Sequence, residues 1–235
     1  MNIENTIKEL EKKGYKVTHF STKKEAVDYL EGSIHGKTVG FGGSQTLTEL
    51  DLRHVLAKEN TVCVPDFPEE GESFLSVAEK TMNCDIFLLS ANAVSDKGEI
   101  VNIGGYCNRL ASALLPHEKV YYIFGSNKIG GTMEEAISRA RNIAGPKNAL
   151  RLHCKTPCAM AVVKHLEEKY DQLHPEGFDQ LEWQRFIERL SEEELNTHCY
   201  DCQSRDRICG SMSVHLHRPE ASEAEVVIID EPIGF

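Results

Sequence analysis

Short continuous apolar runs alternate with amphipathic stretches along most of the chain. Ile86–Leu89 and Val120–Phe124 fit strands covered on both faces, and Val17–Phe20, Thr38–Phe41 and Thr61–Val64 read as further strands. Helical stripes lie between them. Asn2–Lys13 sets Ile3, Ile7 and Leu10 on one face and ends at Gly14. Glu72–Asn83 turns Phe74, Leu75 and Ala78 inward. Cys107–Leu115 carries Leu110, Ala111, Leu114 and Leu115, with Pro116 just past its end. Thr22-x-x-Glu25 and Thr132-x-x-Glu135 are capping-box patterns that open two more helices, and Gly145-Pro146 stops the second. Another helix is expected from the Gly42–Thr46 turn through about Leu56. Asp96-Lys97-Gly98, between Ala91–Val94 and Ile100–Ile103, reads as a hairpin.

This order predicts an α/β fold with a mostly parallel sheet flanked by helices. From Ala159 the pattern changes to two charge-rich helices, Val162–Asp171 and Phe178–Leu195, with Ser191-x-x-Glu194 opening a further turn. We read 1–235 as a single domain and 159–196 as a helical insertion within it, serving as a lid, a homodimer contact or a solvated pair. Near the end, Val214–His217 and Val226–Ile229 are strands expected to pair with each other.

Composition narrows the class. The chain has 235 residues, 40% hydrophobic and 27% charged, as in ordinary globular proteins. Its net charge of -11 argues against a nucleic-acid binder, which needs a basic face. No run reaches the roughly 20 apolar residues that span a bilayer. The polar first residues lack an apolar signal-peptide core, which points to a cytoplasmic protein. Its eight cysteines are then expected to be reduced, metal-bound or redox-active.

Candidate chemistry gathers where strands end and helices begin, the place where open α/β sheets bind ligands. Gly42-Gly43-Ser44 follows a strand and precedes a helix, so it is either an anion site or a plain tight turn. Asn108 and Arg109 follow the Gly104-Gly105 break, and Asn127 and Lys128 follow the next strand. With Asn102 they suit a small carboxylate or a phosphorylated ligand, since arginine clamps such groups with paired hydrogen bonds. The competing reading pairs Arg109 with Glu99 or another surface acid and gives the asparagines to turns. Asp96, Glu99 and Glu135 lie near these motifs, but Asp96 reads as a turn residue and Glu135 as a capping residue. No flavin or nicotinamide motif is present.

Cys199-x2-Cys202, Cys209 and Cys158 are four thiols of the kind that hold zinc or an iron–sulfur cluster; reduced thiols or a redox dithiol are the alternatives. Cys63, Cys84 and Cys107 read as core residues, and His215 with His217 as one face of a half-exposed edge strand.

Taken together, Asn102, Gly104-Gly105, Asn108-Arg109, Asn127-Lys128, Glu135-Ala136, Arg141 and the segment Ala144-Gly145-Pro146-Lys147-Asn148-Ala149 resemble the core motifs of the LUD-domain family. The match continues through Lys155-Thr156-Pro157-Cys158, Cys199-x2-Cys202, Arg207-Ile208-Cys209 and Glu231-Pro232-Ile233-Gly234-Phe235. The resemblance implies a NagB/RpiA/CoA-transferase-like fold and a ligand site at Gly42, Gly43, Ser44, Asn102, Gly104, Gly105, Asn108, Arg109, Asn127 and Lys128. It raises the metal reading of Cys158, Cys199, Cys202 and Cys209, which recur together in the family. In the family pattern the Thr-Pro-Cys element is soon followed by the Cys-x-x-Cys element, whereas 40 residues separate Cys158 from Cys199 here.

One branch of the family is a subunit of a lactate-oxidising complex with iron–sulfur partner proteins. The resemblance therefore implies a lactate-utilisation protein acting on L-lactate or a similar small acid. A stand-alone CoA-transferase-like or sugar-phosphate-isomerase-like enzyme and a non-catalytic, zinc-stabilised binding module are the alternatives.

Overall fold

A computed structural model describes residues 3–173 and 195–235. It contains a sheet of six strands, all parallel: β1 (Lys16–Phe20), β2 (Thr38–Phe41), β3 (Thr61–Cys63), β4 (Ile86–Leu89), β7 (Lys119–Gly125) and β9 (Glu223–Ile229). Their order across the sheet is β1-β9-β7-β4-β2-β3. The continuous apolar runs form its centre for a simple reason. In β4, Ile86 and Leu88 enter the core on one face, while Phe87 and Leu89 enter the core on the other. Helices α2 (Lys23–Glu31), α3 (Gln45–Glu49) and α4 (Leu52–Leu56) cover the first face through Ala26, Leu30, Leu47, Leu52 and Leu56. Helix α1 (Ile3–Lys12) and a second sheet cover the other face.

That second sheet has three antiparallel strands, β5 (Ala93–Val94), β6 (Ile100–Gly104) and β8 (Ser211–His215), in that order. β5 and β6 are the expected hairpin, with Gly98 at φ +78 in its turn. β8 and β9 do not pair with each other, contrary to the sequence reading. β9 is buried from Ala224 to Ile229, so it belongs between β1 and β7; the more polar β8 suits the small sheet's edge.

Four helical stretches also differ from expectation. The stretch from Gln45 to Leu56 breaks at Asp51, whose φ of 51 is tolerated by aspartate but ends α3. α5 (Phe74–Thr81) starts late, capped by Ser73, and buries Val77, Ala78 and Thr81 while Leu75 faces out. α6 (Asn108–Ser112) is short, so Leu114 and Leu115 are exposed. Gly145-Pro146 does not stop the helix opened by Thr132. α7 (Met133–Arg139) runs through a π-helical turn, Ala140–Ala144, into α8 (Gly145–Arg151). Gly145 N–H donates to Ala140 O, an i→i+5 bond that carries the backbone past the proline. α9 (Pro157–Leu173) contains the expected Val162–Asp171 helix. The stretch predicted as Phe178–Leu195, with its Ser191-x-x-Glu194 turn, lies outside the described residues except for Leu195.

The two sheets meet at a buried polar contact. His215 is 4% exposed, and its Nδ1 lies 3.3 Å from Tyr122 Oη on β7. It is not the half-exposed histidine that the sequence pattern implies. Burial pushes its pKa down to about 4, so it stays neutral in the fold. An unfolded histidine titrates near 6.5 and takes up its proton first as pH falls. Stability should therefore fall between roughly pH 6.5 and 4, by about 3 kcal/mol in all. Urea titrations of the wild type and of His215→Phe should show this slope in the first and its loss in the second.

Candidate functional site

Strand order sets the site. From β2 the chain goes to β3 on one side and returns as β4 on the other. The loop after β2 leads to α3 on one face, and the loop after β4 leads to β5 and β6 on the other. The crevice between these strand ends is a topological switch point. It holds a cavity of about 40 Å³ lined by Gly43, Ser44, Ser90, Asn92, Arg109, Lys128, Asn148 and Phe235, among others. A single water takes roughly 10–15 Å³ on that measure, so the space suits a ligand head of a few atoms.

Each wall follows from local sequence. Ser44 caps α3 by accepting from Leu47 N–H at 3.4 Å, which turns the chain sharply after β2. Gly42 lets Arg109 approach: a Cβ there would lie 2.7 Å from Arg109 Cγ. The π-helical turn brings Ala144, Gly145 and Asn148 to the cavity wall. Arg151 Nε donates to Asn148 Oδ1 at 3.0 Å, fixing that amide with its NH2 end available.

Lys128 is 3% exposed. Its Nζ donates to Thr46 Oγ1 at 2.8 Å and Ser90 Oγ at 3.1 Å. Among the described residues it forms no ion pair, although Glu49 exerts some attraction from farther off. Burial, then the charges of Arg139 and Arg109, push its pKa well below the ordinary lysine value. Arg109 Nη2 donates to Ile103 O at 2.6 Å and to Asn92 Oδ1 at 3.0 Å. Its Nε and Nη1 make no protein hydrogen bond among the described residues, and burial lowers its pKa only to about 10, so it remains charged. Asn92 is the hub of this side. It also accepts from Ile103 N–H at 2.9 Å through Oδ1 and from Arg139 Nη1 at 2.6 Å through its backbone oxygen.

Of the sequence-predicted ligand residues, Gly43, Ser44, Arg109 and Lys128 come together around the cavity, with Gly42 behind Arg109. Asn127 instead holds the C-terminal segment, accepting from Ile233 N–H at 3.2 Å and donating to Gly234 O at 3.3 Å. Gly104 and Gly105 lie against Leu110 and Ile208: a Cβ on them would come 2.9 Å from Leu110 Cδ1 and 3.0 Å from Ile208 Cα. Asn108 begins α6, and Asn102 is buried opposite Ser213. Arg109 does not pair with Glu99, which binds Lys13 and Ser95. Asn92, Ser90, Thr46 and Arg139 were not singled out from the sequence. The hydroxyls sit in ordinary turn and helix contexts, and Arg139 reads as a helix-end cation.

The cysteines divide. Cys158 accepts or donates at 3.1 Å with Thr156 Oγ1, and burial raises its pKa, as do Cys202 and Cys209 nearby. Cys199 Sγ accepts from Asp201 N–H at 3.3 Å and from Arg141 Nη2 at 3.7 Å. Among the described residues, no group of three His, Cys, Asp or Glu side chains is placed to hold one metal ion. No helix among the described residues is long and apolar enough to cross a membrane.

The LUD domain family model matches residues 3–172. No curated protein matches the chain. Among solved structures, a DUF162 family protein from Deinococcus radiodurans aligns at 9% identity with a TM-score of 0.49, over 97% of this chain and 95% of that one. eIF2B beta from Chaetomium thermophilum aligns at 15% identity with a TM-score of 0.33, over 50% of this chain and 43% of that one.

The C-terminal segment closes the cavity by close approach. Gly234 has φ +61, and a Cβ there would overlap Thr46 Oγ1 and lie 3.1 Å from Lys128 Nζ. Gly234→Ala should therefore cost roughly 1–3 kcal/mol in urea unfolding, far more than an ordinary surface change. A change within about 0.5 kcal/mol would show that the segment does not pack this way.

Proposed function

The chain belongs to the LUD-domain family, and from that premise we propose that it is a lactate-utilisation-type protein whose switch-point cavity binds L-lactate or a similar small carboxylic acid. One observation carries this reading: two buried basic side chains, Arg109 and Lys128, line a small cavity with no carboxylate in ion-pair contact with either among the described residues. Charges held this deep are normally paired, and an anionic ligand supplies the missing partner. The free Nε–Nη1 edge of Arg109 fits a carboxylate with two parallel hydrogen bonds. Lys128 Nζ then faces the oxygen on C2, and Asn148 and Ser44 offer neutral contacts beside it.

Oxidation of a 2-hydroxy acid to a 2-oxo acid releases two electrons and two protons. The sequence has no flavin or nicotinamide motif to receive them. We assign the electrons to iron–sulfur redox partner proteins, as the family resemblance implies.

The test is reconstitution with co-encoded iron–sulfur proteins under anaerobic conditions, following reduction of the partner's cluster on adding L-lactate. Arg109→Ala should weaken lactate dependence about 10- to 100-fold, the worth of a charged hydrogen bond. Arg109→Lys should not restore it, because an ammonium lacks the planar fork. No lactate-dependent reduction with any co-encoded partner would refute the redox assignment. Wild-type behaviour of Arg109→Ala would refute the site.

A further inference from the structure

We propose that Lys128 is an amine nucleophile that captures 2-oxo acids reversibly as an iminium. The inference rests on the small-carboxylate reading of the cavity and names a substrate class for it.

The geometry around Nζ is the starting point. Besides Cε, a lysine nitrogen has three directions. Two of them lead to Thr46 Oγ1 at 2.8 Å and Ser90 Oγ at 3.1 Å. Both hydroxyls have acceptors of their own: Ile233 O lies 3.5 Å from Thr46 Oγ1, and Ala91 O lies 3.4 Å from Ser90 Oγ. Both oxygens can therefore receive an N–H from the lysine. The third direction has no protein partner among the described residues, and Lys128 lines the cavity. In the neutral amine that third direction is the lone pair.

A lysine at the other end of β7 gives the contrast. Lys119, at the start of β7, meets the buried carboxylate of Glu225 at 2.5 Å. Lys128, just past the end of β7, is more deeply buried and, among the described residues, hydrogen-bonds only hydroxyls. An ammonium meant to stay charged in an interior is paired. A lysine desolvated beside other cations is instead activated as a nucleophile. Burial and the charges of Arg139 and Arg109 act on Lys128 in that direction.

The step balances without a redox agent. The carboxylate of the 2-oxo acid rests on the Arg109 edge, which presents C2 to Nζ. The nitrogen pair attacks C2 and the carbonyl π pair moves to oxygen. That oxygen takes up a proton, nitrogen releases one, and the carbinolamine expels its hydroxyl as water with one further proton. Amine, ketone and one proton thus give iminium and one water. A 2-oxo acid is also the product of 2-hydroxy-acid oxidation, so the same site would retain that product until hydrolysis.

Pyruvate is the probe. The full chain is incubated with pyruvate, reduced with sodium borohydride, and mapped by peptide mass spectrometry, with L-lactate binding measured by calorimetry in parallel. The inference predicts one reduced adduct, on Lys128, diminished by excess L-lactate and lost in Lys128→Arg. Mapping on the wild-type chain makes the result independent of whether that variant folds. L-lactate binding without an adduct on Lys128, or adducts scattered over surface lysines, would overturn the nucleophile and leave the carboxylate site standing. Neither binding nor adduct would take down the site reading itself, and the inference with it.

Discussion

The structure depends on one deeply buried lysine that forms no ion pair among the described residues. Lys128 sits beneath the C-terminal segment, between the ends of β2 and β4, with two hydroxyls and, among the described residues, no carboxylate in ion-pair contact. Arg109 and Arg139 add repulsion rather than relief. Such a group works against folding: its full cost applies below its lowered pKa and fades as pH rises toward the ordinary lysine value. The fold tolerates it because the four central strands of the sheet, β2, β4, β7 and β9, are largely buried and over-determine the positions of their ends. A stability cost confined to a strand-end crevice is a mark of a binding site.

The surroundings are arranged to keep that charge in place. Glycine at 42 admits the Arg109 stem, and glycine at 234 lets the C-terminal segment reach Thr46 and Lys128. Asn92 gathers two arginines and the β6 backbone, so the small sheet and α7 are tied to the end of β4. On the other side of the Gly43–Ser44 turn, a wider recess of about 130 Å³ reaches Val64, Asp66 and Phe67. The anion-sized space is thus one part of a longer crevice along the strand ends.

Much of this was legible in the sequence where one local rule decides the outcome. Ile86–Leu89 and Val120–Phe124 could only be buried strands, and Thr22-x-x-Glu25 and Thr132-x-x-Glu135 form reciprocal capping boxes. The parallel α/β class followed from their alternation. Long-range choices were not legible: β8 and β9 look alike as short strands, and only burial on both faces sends β9 to the main sheet. Gly145-Pro146 reads as a stop because the π-helical turn that bypasses it has no sequence signature. In the site, Arg109 and Lys128 were marked by their places after Gly104-Gly105 and after β7. Thr46, Ser90 and Asn92 were not, since their roles exist only once four separate segments meet.

The most direct test is the stability of Lys128→Met, measured by urea unfolding with and without L-lactate against chloride of equal ionic strength. Thr46 Oγ1 and Ser90 Oγ already lie 3.1 Å apart, so they keep each other as partners when the amine is gone. The account predicts that ligand-free Lys128→Met is at least as stable as the wild type. It also predicts that L-lactate stabilises the wild type more than the variant, by the linkage expected for a ligand that binds the native state. A loss of about 3–5 kcal/mol in the variant, the size seen when a buried ion pair is broken, would contradict it. In that case Lys128 would be a structural residue and the cavity beside it would not be built around its charge.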